Sequence, residues 1–305
     1  MILEFTNNGG VMRLDVAISA HNDTYSRSYF KTLISDSKVT VNGKTVTKAG
    51  TMLENGDKVS VDIPDPVSSD NVPQAIPLDI VYEDEHLIII NKPQGMVVHP
   101  GAGHKDGTLV NALLDHCDGK LSDINGVLRP GIVHRIDKDT SGLMLACKDN
   151  ETHVRLASMI ADHEVIRKYR AIVSGVIKSE RGTIDAPIGR ASGDRRKMTV
   201  KGDGKYAVTH YEVVNRYTEA TDLLLKLETG RTHQIRVHMN YIGHPIVGDP
   251  VYGSKKLNRF GLEGQALHST SIEFDHPITG EHIYYEADVP EYYREVLSRL
   301  TPMDN

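Results

Sequence analysis

The chain has 305 residues, 39% of them hydrophobic, which is enough to bury a large core and to divide into two domains. A net charge of −6 argues against nucleic-acid binding over the whole surface, and no apolar run approaches the roughly 18 residues needed to span a bilayer. Two cysteines, Cys117 and Cys147, without Cys-x-x-Cys spacing exclude a disulfide framework; with no signal-peptide pattern at Met1-Ile-Leu-Glu-Phe5, the expected location is the cytoplasm.

In chain order, Arg13-Leu-Asp-Val-Ala-Ile-Ser-Ala20 is patterned as a short helix with Leu14, Ala17 and Ile18 on one face. A second helix, capped by Thr24, carries Tyr29, Phe30, Leu33 and Ile34 at helical spacing. The period then changes to two. Val39, Val41 and Val46 flank the hairpin signal Asn42-Gly43, and Asn55-Gly56-Asp57 precedes the alternating strand Lys58-Val-Ser-Val-Asp-Ile63. Acidic and basic residues are about balanced in this unit, so Arg13, Arg27, Lys31, Lys38 and Lys44 are its candidates for a local positive face. Residues 65–77, with four prolines between Pro64 and Pro77, are expected to form an extended, poorly packed linker between a unit of residues 1–64 and a larger one of residues 78–305.

Beyond the linker, Leu78 to Lys92 reads as two strands, the second of which, Leu87 to Ile90, is continuously apolar and therefore central. Thr108 caps a helix over Leu109 to His116. His99 and His104 are expected to make loop hydrogen bonds rather than to act as acid and base. Ile132 and Val133 end one buried strand and Gly142 to Cys147 form the next, so His134-Arg-Ile-Asp137-Lys-Asp139-Thr140 is a charged loop held between rigid elements. Lys138 and Asp139 read as a surface pair, which leaves Arg135 and Asp137 as the residues of interest. Asn150 is expected to cap a helix to Asp162, and Arg167-Lys-Tyr-Arg-Ala-Ile-Val-Ser174 to form a strand in which Tyr169 stands beside three cations.

Residues 185–205 read as a mobile basic loop: from Arg190 to Lys205 there are six basic residues and two acidic ones, whereas Glu273 to Asp304 holds eight acidic and two basic. Later, Ile235, Met239 and Ile242 form a helical stripe ended by Gly243, with Arg231 at the helix N-terminus. A cation there opposes the helix macrodipole by about 0.3–1 kcal/mol, so either Arg231 is exposed or an anion offsets the cost. No His-Glu-x-x-His occurs, and His233 and His238, five apart, do not share a helical face, so no metal site is expected.

Three separated stretches carry a resemblance: Arg129-Pro-Gly-Ile-Val-His-Arg-Ile-Asp-Lys-Asp-Thr-Ser-Gly142, Arg167-Lys-Tyr169 and Gly230-Arg-Thr-His-Gln-Ile-Arg-Val-His238. With Asn91-Lys-Pro-Gln-Gly95, His244-Pro-Ile-Val-Gly-Asp-Pro-Val-Tyr-Gly253 and Gln265-Ala-Leu-His268, the chain from Val81 to Glu286 resembles the RluA family of pseudouridine synthases. Its first fifth, with Lys38-Val-Thr-Val-Asn-Gly-Lys44 and Gly56-Asp-Lys-Val-Ser-Val-Asp-Ile-Pro64, resembles an S4 RNA-binding module, which together suggests the RluD-like branch. The resemblance implies an α+β chain in which the S4-type module precedes a catalytic domain with a large mixed, mainly antiparallel sheet, flanking helices and a central cleft.

It also implies isomerisation of specific uridines in RNA, most of all large-subunit (23S) ribosomal RNA, by a monomer acting on neither DNA nor membranes. Asp137 would be the catalytic carboxylate, attacking the sugar carbon or removing a sugar proton. Arg231 would keep it ionised, Tyr169 would stack on the target base, and Arg135 would take the flipped base's place in the helix. Ile235, and Arg167 or Lys168 in place of the family's lysine, would contact substrate. Apart from the resemblance, the acidic C-terminal region suggests that RNA lies along the loop from Gly189 to Lys205, with Arg195, Arg196 and Lys197 as contacts. No cofactor or metal is implied, because uracil is cleaved and rejoined without redox change. Two competing readings stay open: an RNA-associated binding protein with an inactive catalytic-like domain, and a hydrolase that would release free uracil.

Overall fold

The computed structural model describes residues 2–22, 25, 27–63, 72–101, 104–124, 129–194, 197–253 and 260–303. The expected cap Thr24, and Arg195 and Arg196, lie outside them. The first unit runs β1 (Ile2–Thr6), β2 (Met12–Arg13), α1 (Leu14–His21), α2 (Arg27–Ser35), β3 (Val39–Val41), β4 (Lys44–Thr45), β5 (Met52–Leu53) and β6 (Lys58–Asp62). Its antiparallel sheet has the order β1-β6-β3-β4. Asn42 (φ 50°) and Gly43 (φ 74°) make the tight turn between β3 and β4, since both central positions of such a hairpin need positive φ. Leu14, Ala17 and Ile18 of α1 and Phe30, Leu33 and Ile34 of α2 bury against Val39, Val59 and Val61, so this unit has a core of its own.

Of the expected positive face, Arg13, Arg27 and Lys31 converge on one fully buried carboxylate, Asp15, at 3.0, 2.9 and 3.6 Å. Each keeps about half of its side chain in solvent.

The larger unit continues with β7 (Ile80–Glu83), β8 (Leu87–Lys92), α3 (Leu109–His116), β9 (Ser141–Cys147), α4 (Asn150–Ala161), β10 (Ile166–Ser174), β11 (Arg181–Asp185), β12 (Ile188–Arg190) and β13 (Met198–Val200). There follow β14 (Val208–Arg216), β15 (Ala220–Leu227), α5 (Gln234–Tyr241), β16 (Leu267–Asp275), β17 (His282–Glu286) and α6 (Glu291–Ser298). The main sheet has the order β11-β14-β15-β10-β16-β9-β8-β7, with β17 also on β16. Every pairing is antiparallel except β9 with β16, so the sheet is mixed and mainly antiparallel.

The continuous apolar run of β8 has a simple cause: its residues alternate between two cores. Ile88 and Ile90 face one core with α3, and Leu87 and Ile89 face the other with Leu156 of α4. A strand covered on both faces has no polar side.

Four local expectations are corrected. Ile132 and Val133 end no strand; Ile132 makes one isolated bridge to Ala146, because the chain is already turning into the polar loop. Asp149, not Asn150, caps α4, since its carboxylate accepts from the Thr152 N–H at 2.8 Å. The basic stretch contains the short hairpin β12–β13, where Ile188 and Val200 pair, so it is not wholly loop. The described half of the proline-rich linker is held: Gln74 N–H donates to the Asn111 carbonyl and the Asn111 side chain to that of Val72.

Two features position the charged loop that precedes β9. Gly142 has φ +110°, and a Cβ there would lie 2.2 Å from the Ser269 carbonyl oxygen, so only glycine lets β9 approach β16 this closely. Below the loop, Lys92 at the end of β8 is fully buried and its Nζ donates to the carbonyls of Pro93, Met96 and Lys138 at 2.7, 2.9 and 3.0 Å.

Candidate active site

The charged loop runs along the floor of a cleft of about 930 Å³. The loop is fixed from three sides. Lys92 holds the Lys138 carbonyl, the Gln94 side chain donates to the Asp139 carbonyl at 2.9 Å, and Gln265 donates to Thr140 Oγ1 at 2.9 Å. These contacts explain the Asn-Lys-Pro-Gln-Gly and Gln-Ala-Leu-His stretches: each supplies a donor for an otherwise unpaired group of one loop. Lys138 is exposed and no ion pair joins it to Asp139, so the expected surface pair does not form; the Asp139 side chain turns against Gly264.

Asp137 projects from this loop with 19% of its side chain exposed. Its Oδ2 accepts from Arg236 Nη1 at 2.8 Å, and its Oδ1 lies 3.8 Å from His233 Nε2. Arg236 is itself buried and donates Nε and Nη2 to the two oxygens of Asp249, at 2.7 and 2.9 Å, with the Tyr252 ring 5.2 Å from its Cζ. One guanidinium therefore bridges two carboxylates, using its planar fork on the buried one and its remaining edge on Asp137. Burial works against the charge on Arg236, but the hydrogen bond to Asp249 and the charge of Asp137 raise its pKa above the usual arginine value. Burial likewise opposes ionisation of Asp249, and the Arg236 hydrogen bonds with the Val251 and Tyr252 N–H groups hold it below the ordinary carboxylate range. His233 is pushed below 6.5, chiefly by burial, so the ring beside Asp137 is neutral near pH 7.

The guanidinium beside Asp137 thus corrects the expected one. Arg231 stands on the cleft wall and donates Nε to the Tyr206 carbonyl at 2.9 Å. The cause is the helix start. His233 adopts φ 56°, and α5 begins at Gln234, so Arg231 lies before the turn while Arg236 lies in the first turn and points into the core. The macrodipole signal was real but belongs to Arg236, where two carboxylates offset the cost. Arg231→Ala is accordingly expected to keep activity within about tenfold and melting within about 2 °C, a change that removes one partly exposed hydrogen bond; steady-state kinetics on an RNA substrate checks it.

Other residues fall as follows. Tyr169 on β10 is 5% exposed, lines the cleft, and has its hydroxyl pKa raised, first by burial. Alternation along β10 puts Arg167 on the same cleft face, whereas Lys168 does not line the cleft. Ile235, at the start of α5, lines it too. Arg135 is exposed, and its Nη1 lies 3.2 Å from His99 Nε2; burial, then the charges of Arg135 and Arg129, push His99 down to about 4, so the ring is neutral and accepts. Lys197 is exposed beside the β12–β13 hairpin. Tyr29 and Thr32 of α2 reach the cleft rim. Asp249, Arg236, Tyr252 and His233 were not anticipated as site residues. The only sequence sign was a second arginine in Gly230-Arg-Thr-His-Gln-Ile-Arg-Val-His238.

Residues 86–241 match the family described as RNA pseudouridylate synthase, and residues 12–59 match the S4 domain. The chain belongs to the RNA pseudouridylate synthase family. It is 49% identical to an uncharacterized RNA pseudouridine synthase of Bacillus subtilis, with 94% of each chain covered. It is also 49% identical to the ribosomal large subunit pseudouridine synthase D of Zymomonas mobilis, over 92% of this chain and 90% of that one. Among solved structures, human RNA pseudouridylate synthase domain containing 1 superposes with a TM-score of 0.61 at 25% identity, covering 75% of this chain and 90% of that one. The pseudouridylate synthase is therefore an α+β enzyme that isomerises uridine in RNA and carries an S4 module ahead of its catalytic fold. Among the described residues, no helix is long and apolar enough to cross a membrane.

Proposed function

We propose that this enzyme forms pseudouridine in large-subunit ribosomal RNA, with Asp137 as the carboxylate that engages the sugar of the target uridine. The setting of Asp137 carries the reading: one edge faces a cleft while a buried guanidinium fixes the other, which holds an oriented carboxylate oxygen beside open space. Isomerisation breaks the C1′–N1 bond, joins C1′ to C5 and exchanges the proton on C5 for one on N1, so a carboxylate able to hold C1′ or to take a sugar proton is the group the chemistry needs. Arg236, already paired with Asp137, holds its carboxylate aimed.

A target base must leave its stack, at a cost of a few kcal/mol. Tyr169 supplies a flat face for the extruded ring, Ile235 closes the pocket beside it, and the exposed Arg135 stands where a guanidinium can fill the gap left in the RNA. The relative named ribosomal large subunit pseudouridine synthase D supports ribosomal RNA as the substrate. Mapping pseudouridines in large-subunit ribosomal RNA from cells lacking the gene tests this: at least one site should disappear and return with the wild-type gene but not with Asp137→Asn. An unchanged map would overturn it.

RNA outside the target lies along the basic loop from Gly189 to Lys205 and avoids the acidic C-terminal end. Replacing Arg195, Arg196 and Lys197 together by alanine should weaken RNA binding and lower the slope of log K against log salt by about 2–3; an unaltered slope would exclude those contacts. The division into residues 1–64, a linker over 65–77 and residues 78–305 is supported by the separate apolar core of the first unit. The enzyme works as a cytoplasmic monomer, for which sedimentation and cell fractionation are the checks.

A further inference from the structure

Arg167 is 5% exposed and lines the same cleft as Asp137 and Tyr169. Its Nε is buried without a partner, and no hydrogen bond or ion pair to its guanidinium occurs among the described residues. The group lies against the turn after β15, where a Cβ on Gly230 would be 3.5 Å from Nη1. Acidic groups along the cleft are already engaged: Asp137 by Arg236 at 2.8 Å, and Glu228 by His210 at 2.6 Å. The neighbouring imidazole of His134 supplies no charge, because burial and then Arg167 itself push it down to about 3; its Nε2 accepts from the Leu145 N–H at 3.0 Å.

A desolvated cation without a counter-charge costs several kcal/mol, so a fold that retains one beside its reacting carboxylate has a use for it in another state. Arg167 stands on the cleft face of β10 two residues from Tyr169, the ring proposed above to stack on the base, so its guanidinium is on the base's side of the site. Uracil enters neutral. When the C1′–N1 bond breaks, the bonding pair stays with N1 and spreads onto O2 and O4, whether Asp137 adds to C1′ or removes a sugar proton.

We propose that Arg167 donates to a uracil carbonyl oxygen as that bond breaks, stabilising the departing uracil anion until C5 attacks C1′, Asp137 leaves that carbon or returns the sugar proton, and N1 takes up a proton as C5 loses its own. A fixed, dry cation that meets its charge only in the transition state lowers the barrier rather than merely tightening binding. The assignment rests on the cleft of Asp137 being the site of chemistry.

The test uses the purified full chain in single-turnover reactions on two RNAs, one with uridine and one with 5-fluorouridine at the target position, following loss of the original nucleoside in digests. The fluorinated ring departs as a weaker base and needs less help. Arg167→Met should slow the uridine reaction by about 10²–10³-fold, leave RNA affinity within about threefold, and slow the 5-fluorouridine reaction at least about tenfold less. Arg167→Lys should recover part of the rate. Arg167→Met should also melt no lower than the parent, since an unpaired buried charge contributes no stability. Equal losses on both RNAs, weaker binding at an unchanged rate, or a lower melting temperature would each overturn the proposal. Activity retained by Asp137→Asn would instead remove the underlying reading of the cleft, whatever Arg167 does.

Discussion

Asp137→Asn is expected to fold like the parent and to lose pseudouridine formation by on the order of 10⁴-fold or more. Asparagine keeps the shape of the side chain and an oxygen that can accept from Arg236, and Arg236 retains both bonds to Asp249, so the bridge survives without the charge on the loop. What disappears is the anionic oxygen, and an amide is neither a nucleophile toward C1′ nor a base for a sugar proton at neutral pH. Release of tritium from RNA labelled at uracil C5 reports the reaction directly, because the proton at C5 is lost when the new bond forms. A variant within about tenfold of the parent would place the chemistry elsewhere. Unchanged melting would show that the loss is chemical.

Arg236→Met should be the most damaging single change to the fold among the site residues. It leaves Asp249, fully buried, with only the Val251 and Tyr252 N–H groups, and leaves Asp137 without a partner. Breaking a buried pair by removing one member costs about 3–5 kcal/mol, equivalent to roughly 6–20 °C in melting temperature for a domain of this size. Activity should fall nearly as far as in Asp137→Asn. The double variant Arg236→Met with Asp249→Asn should recover most of the stability and none of the activity, because Asp249 needs the cation for its burial whereas Asp137 needs it for orientation. The pH dependence follows the same bridge. Asp249 is held below 3.8, so its contribution to stability is complete above that pH and is lost as the pH falls through its lower folded value. Acid unfolding monitored by circular dichroism should therefore begin at a higher pH once Arg236 is removed, and an unmoved onset would contradict the bridge as a stabilising element.

Much of this was readable along the chain. Elements held together by local rules announced themselves: the Asn42-Gly43 hairpin by its turn residues, α3 by its Thr108 cap, β8 by an apolar run with no polar side. Asp137 stood out because a carboxylate beside cations in a short loop between apolar segments is unusual, and the order of three separated stretches tied it to uridine chemistry. Mistakes arose where two similar local choices were possible. Asp149 and Asn150 are both good caps, and backbone geometry chose the first.

The choice of guanidinium shows the limit most clearly. Arg231 and Arg236 both stand near the start of one helix, and composition, spacing and periodicity treat them alike. A left-handed residue at His233 sets where α5 begins and hence which arginine enters the core. Asp249, thirteen positions beyond Arg236 and outside the helix, supplies the counter-charge that makes such burial tolerable. Repeating patterns along a chain record which face of an element is buried, because burial acts on every turn of a helix or every second residue of a strand. A single ion pair between distant segments leaves no period. The fold and, through the resemblance, the class of reaction were therefore legible along the chain, while the guanidinium that meets Asp137, and the unpartnered Arg167 beside it, became visible only when β10, α5 and the loop before β9 were brought to one cleft.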